Sequence, residues 1–298
     1  MNKTLVIIIT YNGMQWIPDV LAAIGKSPHY DVWVRDNGST DKTREFLKCH
    51  ASVSFTQFGS NIGFGCANNE GLRFALENKY DSVFLQNQDC RISKNTLIEL
   101  RNKGLKNPHN VTCPVQMNWD GIGANFNFDK RYAPQWKTAK RPFDVGFINA
   151  AAWFIPSPAL RKSGGFNPVF FMYGEDNDWG RRLQKNGGKF TVQPELCCFH
   201  QSSIQSNQLK KLEVNRRIIL SLEVTEYFFS HYSFKSWKNG LLLRAIQRSL
   251  HRKQLFNTAT LINPIAEFLV YHTIQKERVR WEEIRQELIS SPPFLSAG

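Results

Sequence analysis

The sequence predicts an α/β fold built on a parallel sheet, and three observations carry that expectation. Strand-like and helix-like segments alternate through the first ninety residues, the pattern of successive βαβ units. The opening run, Thr4 to Thr10, is apolar and β-branched, as a strand covered on both faces must be. A later run, Val83 to Leu85, ends abruptly in Gln86-Asn87-Gln88-Asp89. Ligands of open parallel sheets sit outside the carboxyl ends of the strands, so an acid there faces a crevice. Asp89 can hold a divalent cation, or it can cap the next helix.

The elements follow in order. After the first strand, Met14 to Gly25 places Ile17, Leu21 and Ile24 at helical spacing. Val32 to Val34 is a second strand. A helix over Ser39 to Leu47 is entered through Asp36-Asn37-Gly38-Ser39-Thr40-Asp41, where Ser39 or Thr40 can cap it. Ser52 to Thr56 reads as a third strand, Gly63 to Asn78 as a helix and Ser82 to Leu85 as the fourth strand. The glycines of Asn61-Ile62-Gly63-Phe64-Gly65 suit either approach to a phosphate or tight helix packing.

Val111 to Pro142 is irregular, and a substrate-facing loop is placed around Trp119 to Arg141. Asp144 to Ile155 reads as one strand whose middle, Asn149 to Ala152, is small enough to admit a ligand or a helix. Glu175-Asp176-Asn177-Asp178 opens a helix, where the macrodipole alone favours acids. Lys189 to Gln193 is a short strand ahead of His200.

Composition narrows the function classes. The 298 residues suffice for one large domain or a domain with an appendage, and no apolar run reaches the length of a membrane span or a signal-peptide core. A cytoplasmic protein is expected. The six cysteines show no CxxC spacing and fit reduced, mostly buried thiols; Cys197, Cys198 and His200 make a poor zinc site. The net charge of +13 suits nucleic acid, an anionic membrane or phosphorylated substrates. The excess is spread over both halves, with 14 Lys and Arg against 8 Glu after residue 200. GxGxxG and GxxxxGK[ST] are both missing, which excludes the standard dinucleotide and P-loop folds.

The ordered blocks Thr10-Tyr11-Asn12, Asp36 to Asp41, Asn61 to Phe64, Asn87-Gln88-Asp89, Gly164-Gly165-Phe166, Glu175 to Asp178 and His200 together resemble the family 2 glycosyltransferases, and are similar to bacterial rhamnosyltransferase-like members. The resemblance covers about residues 4 to 204. It implies the GT-A fold, a Rossmann-like nucleotide-binding layer on a mixed central sheet, for a catalytic domain over 1–205. A basic helical extension occupies 206–298. It implies an inverting, metal-dependent hexosyltransferase that takes a UDP- or dTDP-sugar and a saccharide acceptor, lipid-linked or free, in surface polysaccharide synthesis.

By the same resemblance, Thr10, Tyr11, Asn12, Asp36, Asn61, Gly63, Asn87 and Gln88 bind the nucleotide sugar. Asp89 and His200 hold Mn²⁺ or Mg²⁺, with Asn87 a neutral residue where the family carries the first acid of its DxD. Asp176 is the general base, Glu175 shapes the acceptor site, and Arg182 pairs with the neighbouring acids.

The C-terminal third reads as helices over Leu209 to Phe229, Phe234 to His251 and Ile274 to Ile289. The middle one is strongly basic and can lie on an anionic membrane, on the inner face of the cytoplasmic membrane, or cover the core with its solvated face outward. No nucleic acid is expected, because aromatics are not interleaved with a concentrated basic stripe. A sugar nucleotidyltransferase would need a Gly- and Lys-bearing phosphate loop after the first strand, and Asn12-Gly13-Met14 provides none. A non-catalytic relative that keeps the fold is the remaining alternative.

Overall fold

Alternation in the N-terminal half folds as the sequence predicts. The computed structural model describes residues 3–50, 53–201 and 262–287, with residues 216, 219, 220, 223, 240, 294 and 295. The chain runs through β1 (Thr4–Thr10), α1 (Ile17–Ile24), β2 (Tyr30–Asp36), α2 (Thr43–Cys49), β3 (Phe55–Phe58), α3 (Phe64–Glu77) and β4 (Ser82–Asn87). These strands make the parallel part of the sheet, in the order β3-β2-β1-β4. All seven residues of β1 are buried, since helices cover both faces.

Beyond β4 the chain continues through β5 (Cys90–Arg91), α4 (Lys94–Gly104), β6 (Val111–Asn118), α5 (Phe126–Trp136), β7 (Phe143–Val145), β8 (Ala152–Pro156), α6 (Ser157–Ser163), α7 (Glu175–Lys185), β9 (Phe190–His200) and α8 (Ile262–Glu287). The sheet goes on as β4-β8-β6-β9-β5, with β7 on β9. The pairs β4·β8, β6·β8, β5·β9 and β7·β9 are antiparallel and β6·β9 is parallel, so the whole sheet is mixed.

Several boundaries differ from the sequence expectation, each for a local reason. The third strand starts at Phe55, and Ser52 lies outside the described residues. The irregular stretch from Val111 contains β6 and α5. Pro114 and Pro134 hid them, because proline argues against both periods; β6 accommodates Pro114 through a register shift between Pro114 and Val115. The single strand over Asp144 to Ile155 is two, β7 and β8, pairing different neighbours. Lys189 to Gln193 is the first half of the longer β9.

Helix α2 begins at Thr43. Ser39 does not cap it and accepts from Asn12 N instead, at 2.8 Å, while Asp41 takes Thr43 N at 3.0 Å. The last predicted helix, from Ile274, begins at Ile262. The helices predicted over Leu209 to Phe229 and Phe234 to His251, with the basic membrane face, lie outside the described residues apart from isolated positions.

One aromatic cluster fixes the second half of the molecule. Trp153 of β8 and Trp179 of α7 are fully buried with ring centroids 5.3 Å apart, and Phe166 and Phe190 close around them. Trp179 Nε1 donates to Gly164 O at 2.8 Å, whereas the buried Trp153 Nε1 finds no acceptor among the described residues. Each ring buried this way contributes about 2–3 kcal/mol. Arg182, one turn further on, is held by Asp178 at 2.9 Å and by the carbonyls of Ser163 and Gly165. Together these contacts pin the start of α7 against the sheet, and the acids at that start face the cleft.

Candidate active site

A cleft of about 380 Å³ opens past the carboxyl ends of β1 and β4. Its lining includes Thr10, Tyr11, Asn61, Asn87, Gln88 and Asp89 from the parallel half, and Glu175, Asp176 and His200 from the other. Nine of the twelve residues singled out from the sequence therefore meet in one place. Asn12, Asp36 and Gly63 stand behind the wall.

The nucleotide wall is built by neutral hydrogen bonds. Gln88 folds back onto the end of β1: its Oε1 accepts from Thr10 Oγ1 at 2.7 Å and Tyr11 N at 2.9 Å, and its Nε2 donates to Tyr11 O at 3.2 Å. Gly13 makes this possible, because a Cβ there would overlap both the Gln88 amide and the Thr10 hydroxyl. Asn61 Oδ1 accepts from Asn37 Nδ2 and from Gly63 N, both at 3.0 Å.

Asp36 is fully buried and organises the turn from within. Its Oδ1 accepts from Gly38 N at 3.2 Å and Ser39 N at 3.0 Å, while Oδ2 meets no donor among the described residues. The next residue, Asn37, lines the cleft instead. Asn12, at φ +48°, accepts from Thr40 N through its Oδ1 at 2.8 Å.

Gly63, at φ +87°, is a packing residue. A side chain there would overlap the Phe171 carbonyl, which also accepts from Phe64 N at 3.0 Å. That carbonyl occupies the start of α3, so of the two readings of the glycine-rich stretch the structure bears out close packing.

The approach of Asp89 to His200 follows from strand pairing. Cys90 of β5 faces His200 of β9, and Gln201 N donates to Asp89 O at 3.0 Å. This brings Asp89 Oδ1 to 3.5 Å from His200 Nε2. Asn87 Oδ1 and His200 Nδ1 are buried and find no partner among the described residues. No group of three or more His, Cys, Asp or Glu side chains gathers to hold a metal among the described residues. A carboxylate, an imidazole and an orphaned amide oxygen nonetheless fit a hard cation whose remaining ligands come from a diphosphate.

The acid wall is chemically different. Burial, and then the adjacent Asp176 carboxylate, push Glu175 up to about 8, and its Oε2 finds no donor. Burial also raises Asp176, against backbone N–H groups of Asn177 and Ala150 and the charge of Arg131. Asp178 is turned inward to Arg182 and belongs to the scaffold. Tyr173, held at φ +70°, lines the cleft just before these acids.

Sequence reasoning did not single out Asn37 or Gln116; these line the cleft together with Asn125 and Asn127, from the stretch placed as substrate-facing, and Asn149, from the small stretch. The small stretch Asn149-Ala150-Ala151 lines the cleft and also meets the first turn of α7, where Asp176 accepts from the Ala150 backbone. Arg131 of α5 reaches its edge, donating to Asn149 Oδ1 at 3.0 Å.

The architecture is shared with a mannosyltransferase from Pyrobaculum calidifontis solved in complex with GDP-Man and Mn²⁺. The TM-score is 0.56 at 19% identity, over 93% of this chain and 75% of that one. The fold is the GT-A fold. Residues 5–161 match the profile of Glycosyl transferase family 2, and the chain belongs to that family.

Two curated relatives are similar over part of the chain. The low-salt glycan biosynthesis hexosyltransferase Agl10 of Haloferax volcanii is 23% identical over 192 residues, 60% of this chain. The alignment spans 61% of that protein's length. The N-acetylglucosaminyl-diphospho-decaprenol L-rhamnosyltransferase of Mycobacterium tuberculosis is 24% identical over 229 residues, 65% of this chain and 75% of that protein. No helix among the described residues is long and apolar enough to cross a membrane.

Proposed function

We propose that the catalytic unit over residues 1–205 transfers a hexosyl group, with inversion, from a nucleoside diphosphate donor to a saccharide acceptor on a lipid carrier. The observation that supports this reading is one cleft with the Asp89–His200 pair and the Glu175–Asp176 pair both on its wall. The biological setting is cell-surface polysaccharide synthesis on the inner face of the cytoplasmic membrane. The lipid carrier is argued from the relative whose acceptor is a diphospho-decaprenol.

The residues divide the work. The β1 and β4 ends, with Thr10, Tyr11, Asn61 and Gln88, orient the nucleotide. Asp89 and His200 hold Mn²⁺ or Mg²⁺, with Asn87 as a neutral neighbour. A cation bound there screens the charge that grows on the departing diphosphate.

The acceptor oxygen forms its bond to the anomeric carbon as the bond to the diphosphate breaks, the electron pair leaving with the diphosphate. The hydroxyl proton passes to Asp176. Two adjacent carboxyls whose environments separate their affinities can run both halves of such chemistry. Asp176, supplied with two backbone donors and facing Arg131, is the ionised base. Glu175, more strongly raised, keeps its proton and donates to a sugar hydroxyl. A positioned base contributes about 10²–10⁴ in rate.

The test is a panel of uridine, thymidine and guanosine diphosphate sugars, each with Mn²⁺, Mg²⁺ or chelator. Metal-dependent binding of one donor, and release of nucleoside diphosphate on adding acceptor, are expected. Release of pyrophosphate would replace this reading with a nucleotidyltransferase, and no binding of any donor would sink it.

A further inference from the structure

The turn between β6 and α5 holds two large apolar side chains in water. Ile122 is 77% exposed and Phe126 70% exposed. The turn is firmly built. Asn118 Nδ2 donates to Ile122 O at 2.8 Å, Ile122 N to Asp120 Oδ1 at 2.8 Å, and Asn118 N to Gly123 O at 3.0 Å. Met117 pairs with Ala124 across it. Asn125 then fixes the start of α5, accepting from Asn127 N at 3.1 Å through its side chain and from Asp129 N at 2.8 Å through its carbonyl. Ordered backbone that presents apolar groups outward marks a surface that something covers.

The charge beside those groups identifies what covers them. Helix α5 turns Phe128 and Tyr132 into the core and leaves Lys130, Arg131 and Lys137 exposed, with Lys140 and Arg141 following. Residues 118–141 carry five Lys and Arg against two Asp. The half-buried Trp119 and Trp136 lie in the same segment, and amphipathic rings of this kind settle at headgroup level. Protruding apolar side chains among cations match an anionic bilayer surface, where insertion and headgroup attraction add.

We propose that the segment 118–141 is a membrane-docking element: Ile122 and Phe126 insert among anionic lipids while Lys140 and Arg141 contact the headgroups, Lys137 being paired with Asp129 at 3.0 Å. Asn125 and Asn127, on either side of Phe126, line the cleft, so docking sets the cleft mouth against the surface where a lipid-linked acceptor sits. This deepens the proposed function and rests on its lipid-linked acceptor. It also moves the membrane contact to the rim of the cleft from the basic stretch 234–253, which lies outside the described residues.

The experiment is sedimentation of the full chain with phosphatidylcholine vesicles, with and without phosphatidylglycerol, at low and high salt. The variants are Ile122→Ser/Phe126→Ser and Lys140→Glu/Arg141→Glu. Thermal unfolding and nucleotide-sugar binding are measured on each sample. The wild type is expected to sediment with the anionic vesicles only, less at high salt, and each double variant to lose about tenfold or more of its partitioning while unfolding and binding donor normally. Equal sedimentation of the wild type with neutral vesicles, none with either, or an Ile122→Ser/Phe126→Ser variant that binds like the wild type would overturn the proposal. Failure of the wild type to bind any donor would count against the transferase reading alone, leaving the vesicle result to stand.

Discussion

The two walls of the cleft are made on opposite plans. The wall at the ends of β1 and β4 carries Asp89 as its one acid and, Asn87 Oδ1 apart, engages its amides: Gln88 is tied to Thr10 and Tyr11, and Asn61 to Asn37 and Gly63. The acid wall keeps Glu175 and Asp176 in a buried site that raises both. A wall that only positions a ligand benefits from satisfied hydrogen bonds and rigidity. A wall that moves a proton needs groups whose charge is poised, and the cost of burying them is borne by the scaffold beneath.

That scaffold is where the contrast can be broken most severely. Asp178→Ala leaves the Arg182 guanidinium buried with two carbonyls and no counter-charge. A loss of about 3–5 kcal/mol is expected, read from the urea midpoint. Gly63→Ala strikes the junction of the two walls, since its Cβ would overlap the Phe171 carbonyl at a left-handed backbone position. It should cost about 2–3 kcal/mol and loosen the loop that carries Met172 and Tyr173 to the cleft.

Gly13→Ala tests the nucleotide wall alone. Displacing Gln88 from the end of β1 should weaken donor binding about tenfold, roughly 1.4 kcal/mol by calorimetry, with little change in the pH profile. Glu175→Gln breaks the acid wall in a pH-dependent way. Because the folded protein raises this acid to about 8, it binds a proton that the unfolded chain has already lost. Wild-type stability therefore falls as pH climbs from about 5 to 8. The glutamine variant removes the share of that slope that belongs to Glu175, gaining about 2–4 kcal/mol relative to the wild type at pH 8 and less than about 1 kcal/mol at pH 5. Urea midpoints across that range would show it.

The same contrast explains what the sequence disclosed. The nucleotide wall was legible because it sits at the ends of regular strands: Val83 to Leu85 announced β4, and the polar run after it fell in the cleft, as it must in a parallel sheet. The acid block stood out as three carboxylates in four residues. What alternation could not resolve was the one-residue choice between Asp36, which turned inward, and Asn37, which reached the cleft.

The far side was obscured by proline. Pro114 and Pro134 concealed β6 and α5, and with them Gln116 and the individual places of Asn125, Asn127 and Arg131 in the substrate-facing stretch. The insertion of β8 between β4 and β6 is a long-range pairing with no local signal. Asp89 and His200 were each visible, but only the two-residue pairing of β5 with β9 shows why they meet.

The central claim is that Asp89 serves donor binding while Asp176 serves the proton. It is tested most directly by measuring donor affinity and single-turnover rate side by side in Asp89→Ala and Asp176→Asn, with metal present. Asp89→Ala should lose donor affinity by about tenfold or more. Asp176→Asn should keep donor affinity within about twofold and lose turnover by about 10²–10⁴. Equal loss of both quantities in both variants, or full turnover in Asp176→Asn, would contradict the division of labour between the two walls.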